Sequence, residues 1–269
     1  MPYRLLTIAF VTLSLLAACA NNPFNRNPAT TPPEPATREA PPPQQMASAP
    51  ERARLHTDLG SGYYERGQMD IAINELDTAV KLDPNYAPAY NIYGLIYAVL
   101  GENGKAEQNF QRALQLAPNN PDIHHNWGWY LCQHKREREA LVQFETAVSD
   151  PLYRTPEIAL VNAGRCAQAI GDTRAAEGYF RRALAGQPNN VLASYGLAQI
   201  AYKEARYDEA RAAMRRVMAA NNPSPEALRL GMCVERKLGD RQSEASYTSQ
   251  LKNRYPDAPE TRAIAEACE

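Results

Sequence analysis

From residue 51 onward, apolar and small residues recur every three or four positions, the spacing of a helix with one buried face. The pattern then repeats as a block. Leu59-Gly60, Tyr63, Ala72, Leu76, Ala79 and Pro84 set it. Tyr93-Gly94, Tyr97, Ala106, Phe110, Ala113 and Pro118 restate it 34 positions on. Trp127-Gly128, Leu131, Ala140, Phe144 and Ala147 follow at the same interval. After a two-residue insertion around Pro151 to Pro156 come Ala163-Gly164, Ala167, Ala176, Phe180, Ala183 and Pro188. A weaker copy has Leu197-Ala198, Ala201, Ala210, Met214 and Val217, and a sixth has Leu230-Gly231, Val234, Ser243, Tyr247 and Tyr255-Pro256. Each block predicts two helices. Gly67, Gly101, Gly171 and Gly239 fall where the first should end, because glycine enters the left-handed conformation of a helix C-cap freely. Pro84, Pro118 and Pro188 stop the second, since proline lacks an N–H and clashes with the preceding turn.

The period and the chemistry of these positions resemble the tetratricopeptide repeat (TPR). The fold implied is all-α: a right-handed superhelical solenoid of about six helix pairs with a C-terminal closing helix. The repeats are placed at about 53–86, 87–120, 121–156, 157–190, 191–223 and 224–256, the closing helix at 257–268, and the whole TPR domain at 51–269. Small residues such as Gly94 and Ala106 let paired helices approach, and bulky ones such as Tyr97 and Phe110 fill the space beside them.

In a TPR the first helix of each pair lines the concave face, with its second, fifth, ninth, twelfth and thirteenth residues turned toward a ligand. In this register those positions include Tyr64, Asn91, Leu95, Val99, Asp122, His125, Trp129 and Arg165. Leu95, Ala98, Val99 and Trp129 are apolar where solvent would otherwise stand, the mark of a partner surface or of filling in a narrow superhelix. The groove of repeats one to three is the expected binding face. Asn91 matches part of the clamp with which some TPRs hold a C-terminal carboxylate, but Ser61 and Leu95 do not, which argues against such a ligand.

The N-terminus reads as an address. Arg4 precedes an apolar run, Leu5 to Ala18, which is too short to span a bilayer as a helix. The run ends in Leu16-Ala17-Ala18-Cys19, similar to a bacterial lipobox. Residues 1–18 are then a lipoprotein signal peptide and Cys19 the lipidated new N-terminus. The alternative is an ordinary secretory signal cleaved nearby. Residue 20 is Ala rather than the Asp that retains many lipoproteins at the inner membrane, so the expected place is the outer membrane, lipid-anchored, with the TPR domain in the periplasm. Residues 19–50 hold the lipidated Cys and a tether of nine prolines among polar residues, which cannot bury enough surface to fold.

Four cysteines remain. Cys132 and Cys166 fall on the first helices of adjacent repeats, at the twelfth and tenth positions, and in an oxidising compartment are expected to pair. The same is expected, less firmly, of Cys233 and Cys268, and the alternative for both pairs is buried free thiols.

A balance of 29 basic and 30 acidic side chains offers no polyanion-binding surface, so nucleic acid is not an expected partner. No hydrolase, metalloprotease or phosphate-loop motif occurs. His124-His125 and His134 lack a carboxylate or Cys to complete a ligand set. No catalytic residue, metal, cofactor or small-molecule substrate is expected, and the chain reads as a binding scaffold rather than an enzyme.

Asn126-Trp127-Gly128-Trp129-Tyr130-Leu131-Cys132 narrows this further. It resembles the Asn-aromatic-Gly-aromatic-aromatic-Leu-Cys segment of the pilotin lipoproteins of type IV pili, the PilF/PilW family. The lipobox, repeat count, insertion after repeat three, Cys166, Leu238-Gly239-Asp240 and Leu251 to Pro256 agree with that family. The long Pro-rich tether and the extra pair Cys233 and Cys268 depart from it. The resemblance implies a protein that binds the secretin subunit of the type IV pilus and helps it localise and multimerise in the outer membrane. The alternative is a TPR lipoprotein serving another envelope assembly, such as peptidoglycan enzymes or an outer-membrane protein insertion complex.

Overall fold

A computed structural model describes residues 47–220, 222–264 and 268. The signal segment, Cys19 and the tether up to residue 46 lie outside the described residues. Among the described residues the chain forms thirteen α-helices and no strands. Six antiparallel pairs follow one another: α1 (Ala49–Glu65) with α2 (Met69–Leu82), α3 (Ala87–Val99) with α4 (Asn103–Leu116), α5 (Pro121–Gln133) with α6 (Glu137–Ser149), α7 (Pro156–Ala169) with α8 (Thr173–Gly186), α9 (Val191–Lys203) with α10 (Tyr207–Met218), and α11 (Pro225–Leu238) with α12 (Arg241–Arg254). A single turn, α13 (Pro259–Arg262), follows.

Local chemistry sets the ends of these helices. Ser48 and Glu51 form a reciprocal capping box. It draws Pro50 into the first turn of α1, where a missing N–H costs nothing. The folded part therefore begins at Ala49, two residues inside the stretch expected to be tether. Asn120, Asp172, Asn190, Ser224 and Asp240 each accept a backbone N–H from the first turn of the following helix. Gly67, Gly101, Gly171 and Gly239 take φ of 74° to 79°, as expected of caps. Lys135 and Ala205 hold the same place in repeats three and five, with φ of 59° and 57°. Helix α13 is shorter than the closing helix expected over 257–268. The chain turns after it, and Ile264 and Cys268 pack against Met232 and Cys233 of α11.

The two helices of a pair meet through a small residue set against a large one. A Cβ added at Gly94 would lie 2.8 Å from the Phe110 ring, at Gly128 3.0 Å from Phe144, and at Gly164 2.5 Å from Phe180. All three rings are buried, each contributing about 1.5–3 kcal/mol by leaving water. Repeat five replaces this pairing with Ala198 and Met214, a thioether that adapts to an irregular gap. The backbones of successive first helices (α1, α3, α5, α7, α9, α11) come close to one another, whereas those of successive second helices stand further apart and meet through long side chains, as where Arg182 of α8 pairs with Glu145 of α6 at 2.6 Å. The stack therefore bends with the first helices inside, which is the TPR superhelix.

Candidate functional site: the concave face

Every first helix offers one strip to the inner surface. The residues expected there divide by environment. Val99 is 52% exposed, and Asp122 and Arg165 are exposed. Tyr64 is half-buried. Leu95 and Trp129 are half-buried against a core cluster that contains Phe110, Trp127, Tyr130 and Phe144, and Ala98 packs on the same cluster. Of the four apolar positions only Val99 faces solvent freely. The continuous apolar groove read from the sequence is therefore interrupted, because the aromatic core of repeats two and three draws Leu95 and Trp129 into its packing.

His125 does not open onto the groove. Tyr153 Oη lies 2.9 Å from its Nδ1, and Asn162 Nδ2 lies 2.9 Å from its Nε2. The Asn162 amide donates to Nε2, so the neutral ring carries its proton on Nδ1 and donates to Tyr153. Phe144 packs against the same ring. Burial holds the His125 pKa below the ordinary histidine value, opposed by the nearby Asp122 carboxylate. The same burial raises the Tyr153 hydroxyl. The histidine thus ties α5 to the Asp150–Pro156 insertion and to α7, and gives the inserted loop its anchor. Asn91 is also withdrawn, at 6% exposure, and its Oδ1 accepts from Asn126 Nδ2 at 3.3 Å.

The open part of the face is a pocket of about 310 Å³ across α1, α3 and α5. It brings together Asn91 and Asp122 from the expected set with Asp58, Ile92 and Asn126, which the sequence reading missed. These three share the sixth position of their repeats. The fifth and sixth residues of a helix are 100° apart, so a wide inner strip exposes both. A second pocket of about 260 Å³ lies on repeats five and six, and its lining includes Tyr195, Tyr202, Lys203 and Arg229. Here the end of the chain itself covers the face: the Tyr202 hydroxyl donates to the Cys268 carbonyl at 3.3 Å.

The four cysteines meet in two pairs. Cys132 and Cys166 are joined, with Cα atoms 5.9 Å apart, bridging α5 and α7 across the insertion. Cys233 and Cys268 are joined at a Cα separation of 5.1 Å, fastening the terminal segment to α11. Among the described residues no group of three or more His, Cys, Asp or Glu side chains gathers in a way that would hold a metal ion.

Comparison with known proteins agrees with this architecture. Tetratricopeptide repeat profiles match residues 57–121 and 167–231. The type IV pilus assembly protein PilF of Pseudomonas aeruginosa is 28% identical over 205 residues, 76% of this chain and 81% of PilF. The solved structure of Pseudomonas aeruginosa PilF superposes with a TM-score of 0.76 at 27% identity, over 81% of this chain and 98% of that one. PilW, described as a widely conserved type IV pilus biogenesis factor, superposes with a TM-score of 0.72 at 29% identity, over 79% of this chain and 98% of that one. The likeness covers about four fifths of the chain rather than one helix pair, and the chain is a PilF/PilW-like TPR protein.

Proposed function

We propose that this chain is an outer-membrane lipoprotein, a pilotin, that binds the type IV pilus secretin and promotes its outer-membrane localisation and multimerisation. It acts as a scaffold and not as a catalyst. The observation that carries this reading is coverage: the similarity extends over 98% of the PilF and PilW structures, not over an isolated repeat of a widespread type. Acyl chains on Cys19 supply the anchor, each buried CH₂ contributing about 0.8 kcal/mol. The inner face of repeats one to three is the secretin-binding surface, with Asn91 and Asp122 in its pocket and Tyr64, Leu95, Val99 and Trp129 along the strip, which Arg165 continues into repeat four. His125 supports it from behind.

The test is affinity capture of the tagged chain from detergent-solubilised outer membranes. The secretin is expected to co-elute with the wild type. With Cys19→Ala the protein is expected in the soluble periplasmic fraction, and secretin multimers are expected to decline. Capture without secretin, or a Cys19→Ala variant that stays in outer-membrane fractions with normal multimers, would sink the reading.

A further inference from the structure

The end of the chain lies on the inner face of repeats five and six, held by a bond that a thiol can open. Ile264 and Cys268 pack against Met232 and Cys233 of α11, with Tyr202 of α9 and Tyr247 of α12 around them. The Tyr202 hydroxyl donates to the Cys268 carbonyl. The Cys233–Cys268 bridge ties the segment down. Cys268 thereby becomes part of the wall of the pocket of about 260 Å³, beside Tyr195, Tyr202 and Leu230.

The two bridges of the molecule differ in what they hold. Cys132–Cys166 joins α5 and α7, each packed along a second helix of its own, so opening it releases neither. Cys233–Cys268 joins α11 to a segment beyond the four-residue α13. One helical turn is a weak hold by itself, and chain ends open locally at low cost. The covalent link therefore decides whether the inner face here is covered. The two sulfur-bearing residues also differ. Cys233 is 4% exposed, whereas Cys268 is partly exposed, so a thiolate arriving from solvent meets Cys268. Lys203 and Arg229 line the pocket against a single carboxylate, Glu226, and a positive surrounding favours the departure of Cys233 as a thiolate.

We propose that the Cys233–Cys268 bridge is a thiol-exchange site, a latch that a dithiol protein opens to uncover the inner face of repeats five and six. A thiolate of the dithiol attacks Cys268 Sγ. The Cys233–Cys268 bond breaks, a mixed disulfide forms on Cys268, and Cys233 leaves as a thiolate that takes a proton from water. The second thiol of the dithiol loses its proton and attacks its own partner sulfur, and Cys268 leaves as a thiolate that is protonated in turn. The dithiol is oxidised by two electrons and the latch is reduced by two. The chain end then comes away, and Met232 and Tyr202 meet solvent. An oxidant of the thiols closes the latch again. The latch acts on repeats five and six alone and does not depend on what the face of repeats one to three binds.

The test exposes the folded, oxidised chain to reduced thioredoxin as the probe dithiol, then alkylates and maps the freed thiols over time. Cys233 and Cys268 are expected to appear at least about tenfold faster than Cys132 and Cys166, since local opening reaches the chain end more readily than the middle of the stack. A thioredoxin whose second active-site cysteine is replaced by serine should be trapped on Cys268, leaving Cys233 free for alkylation. Hydroxyl-radical footprinting of the opened, alkylated protein should show raised labelling of Met232 and Tyr202. Cys268→Ser should show that labelling from the start and no response to the dithiol. Equal rates at the two bridges overturn the proposal. So do trapping on Cys233, and Met232 and Tyr202 that stay as protected after opening as before.

Discussion

Gly94 and Phe110 meet so closely that the absence of a side chain on one is a condition for burying the other. A Cβ at residue 94 would fall 2.8 Å from three atoms of the ring, and Phe110 is fully buried among its neighbours. A ring in a packed core has nowhere to retreat. Gly94→Leu is expected to destabilise the fold by roughly 1–3 kcal/mol or more, read as a fall in the thermal or urea midpoint. Gly104→Leu is the matched control, because nothing lies within 4 Å of a Cβ there. An unchanged midpoint for Gly94→Leu would mean that the two helices of repeat two are not packed in this register.

That contact was legible in the sequence because the small and large partners return at a fixed interval, so chemistry and periodicity pointed to one packing. The left-handed caps at Gly67, Gly101, Gly171 and Gly239 were legible for the same reason. The inner face was harder to read. Fifth and sixth residues both reach it, and the sequence alone does not say which column bends outward, so Asp58 and Asn126 were overlooked. Apolar character at Leu95 and Trp129 suits a groove and a core that extends to the rim equally well, so the sequence leaves both open. The role of His125 depends on Tyr153, carried by an insertion with no counterpart in the other repeats, and no periodic argument could supply that partner.

The two caps without glycine carry a cost the sequence pattern did not announce. Ala205 sits at φ 57° and Lys135 at φ 59°, a region that costs an L-residue roughly 1–2 kcal/mol. Glycine removes that cost but makes the unfolded chain freer, by about 0.4–1 kcal/mol. Ala205→Gly is therefore expected to stabilise the protein by about 0.5–1 kcal/mol. Ala219→Gly, at a helix end with negative φ, should bring no gain. Chemical denaturation of the three proteins decides it, and an Ala205→Gly variant weaker than the wild type would contradict the backbone assignment.

Protonation of His125 should weaken the fold. Burial lowers its folded pKa, so the unfolded chain takes up the proton more readily. The associated stability is present above the unfolded value of about 6.5 and is lost as pH falls from there toward the folded pKa. Charging the ring also places a proton on Nε2, where the Asn162 amide already donates. The four carboxyl groups held below their ordinary pKa, Glu51, Glu139, Glu226 and Asp240, lose their contributions only in more acid solution, below about pH 4.5. The melting temperature is expected to fall between about pH 6.5 and 5 in the wild type and to be flatter over the same interval in His125→Gln. Parallel profiles for the two proteins would rule out His125 as the sensitive group.

The bridge between Cys132 and Cys166 should matter most where the repeat spacing is broken. It links α5 to α7, at a Cα separation of 5.9 Å and a sequence separation of 34, and spans the insertion that displaces repeat four from the regular interval. Adjacent first helices touch less extensively here than between repeats one and two, while α6 packs more extensively on α7 than α2 does on α3, so the covalent link fixes the inner edge of a junction that packing holds on its other side. Closing a loop of that length restricts the unfolded chain, and losing such a bridge typically costs about 2–4 kcal/mol. The Cys233–Cys268 bridge fastens only the terminal segment beyond α13, and ends of chains open locally at little cost to the rest. Cys132→Ser with Cys166→Ser is therefore expected to lower the midpoint of the cooperative transition. Cys233→Ser with Cys268→Ser should mainly raise hydrogen exchange in residues 259–268 and in α11. Thiol labelling of denatured, unreduced protein recovered from the periplasm should detect no free thiol among the four. Four labelled thiols would refute both bridges, and two mapping to Cys233 and Cys268 would leave the α5–α7 bridge alone.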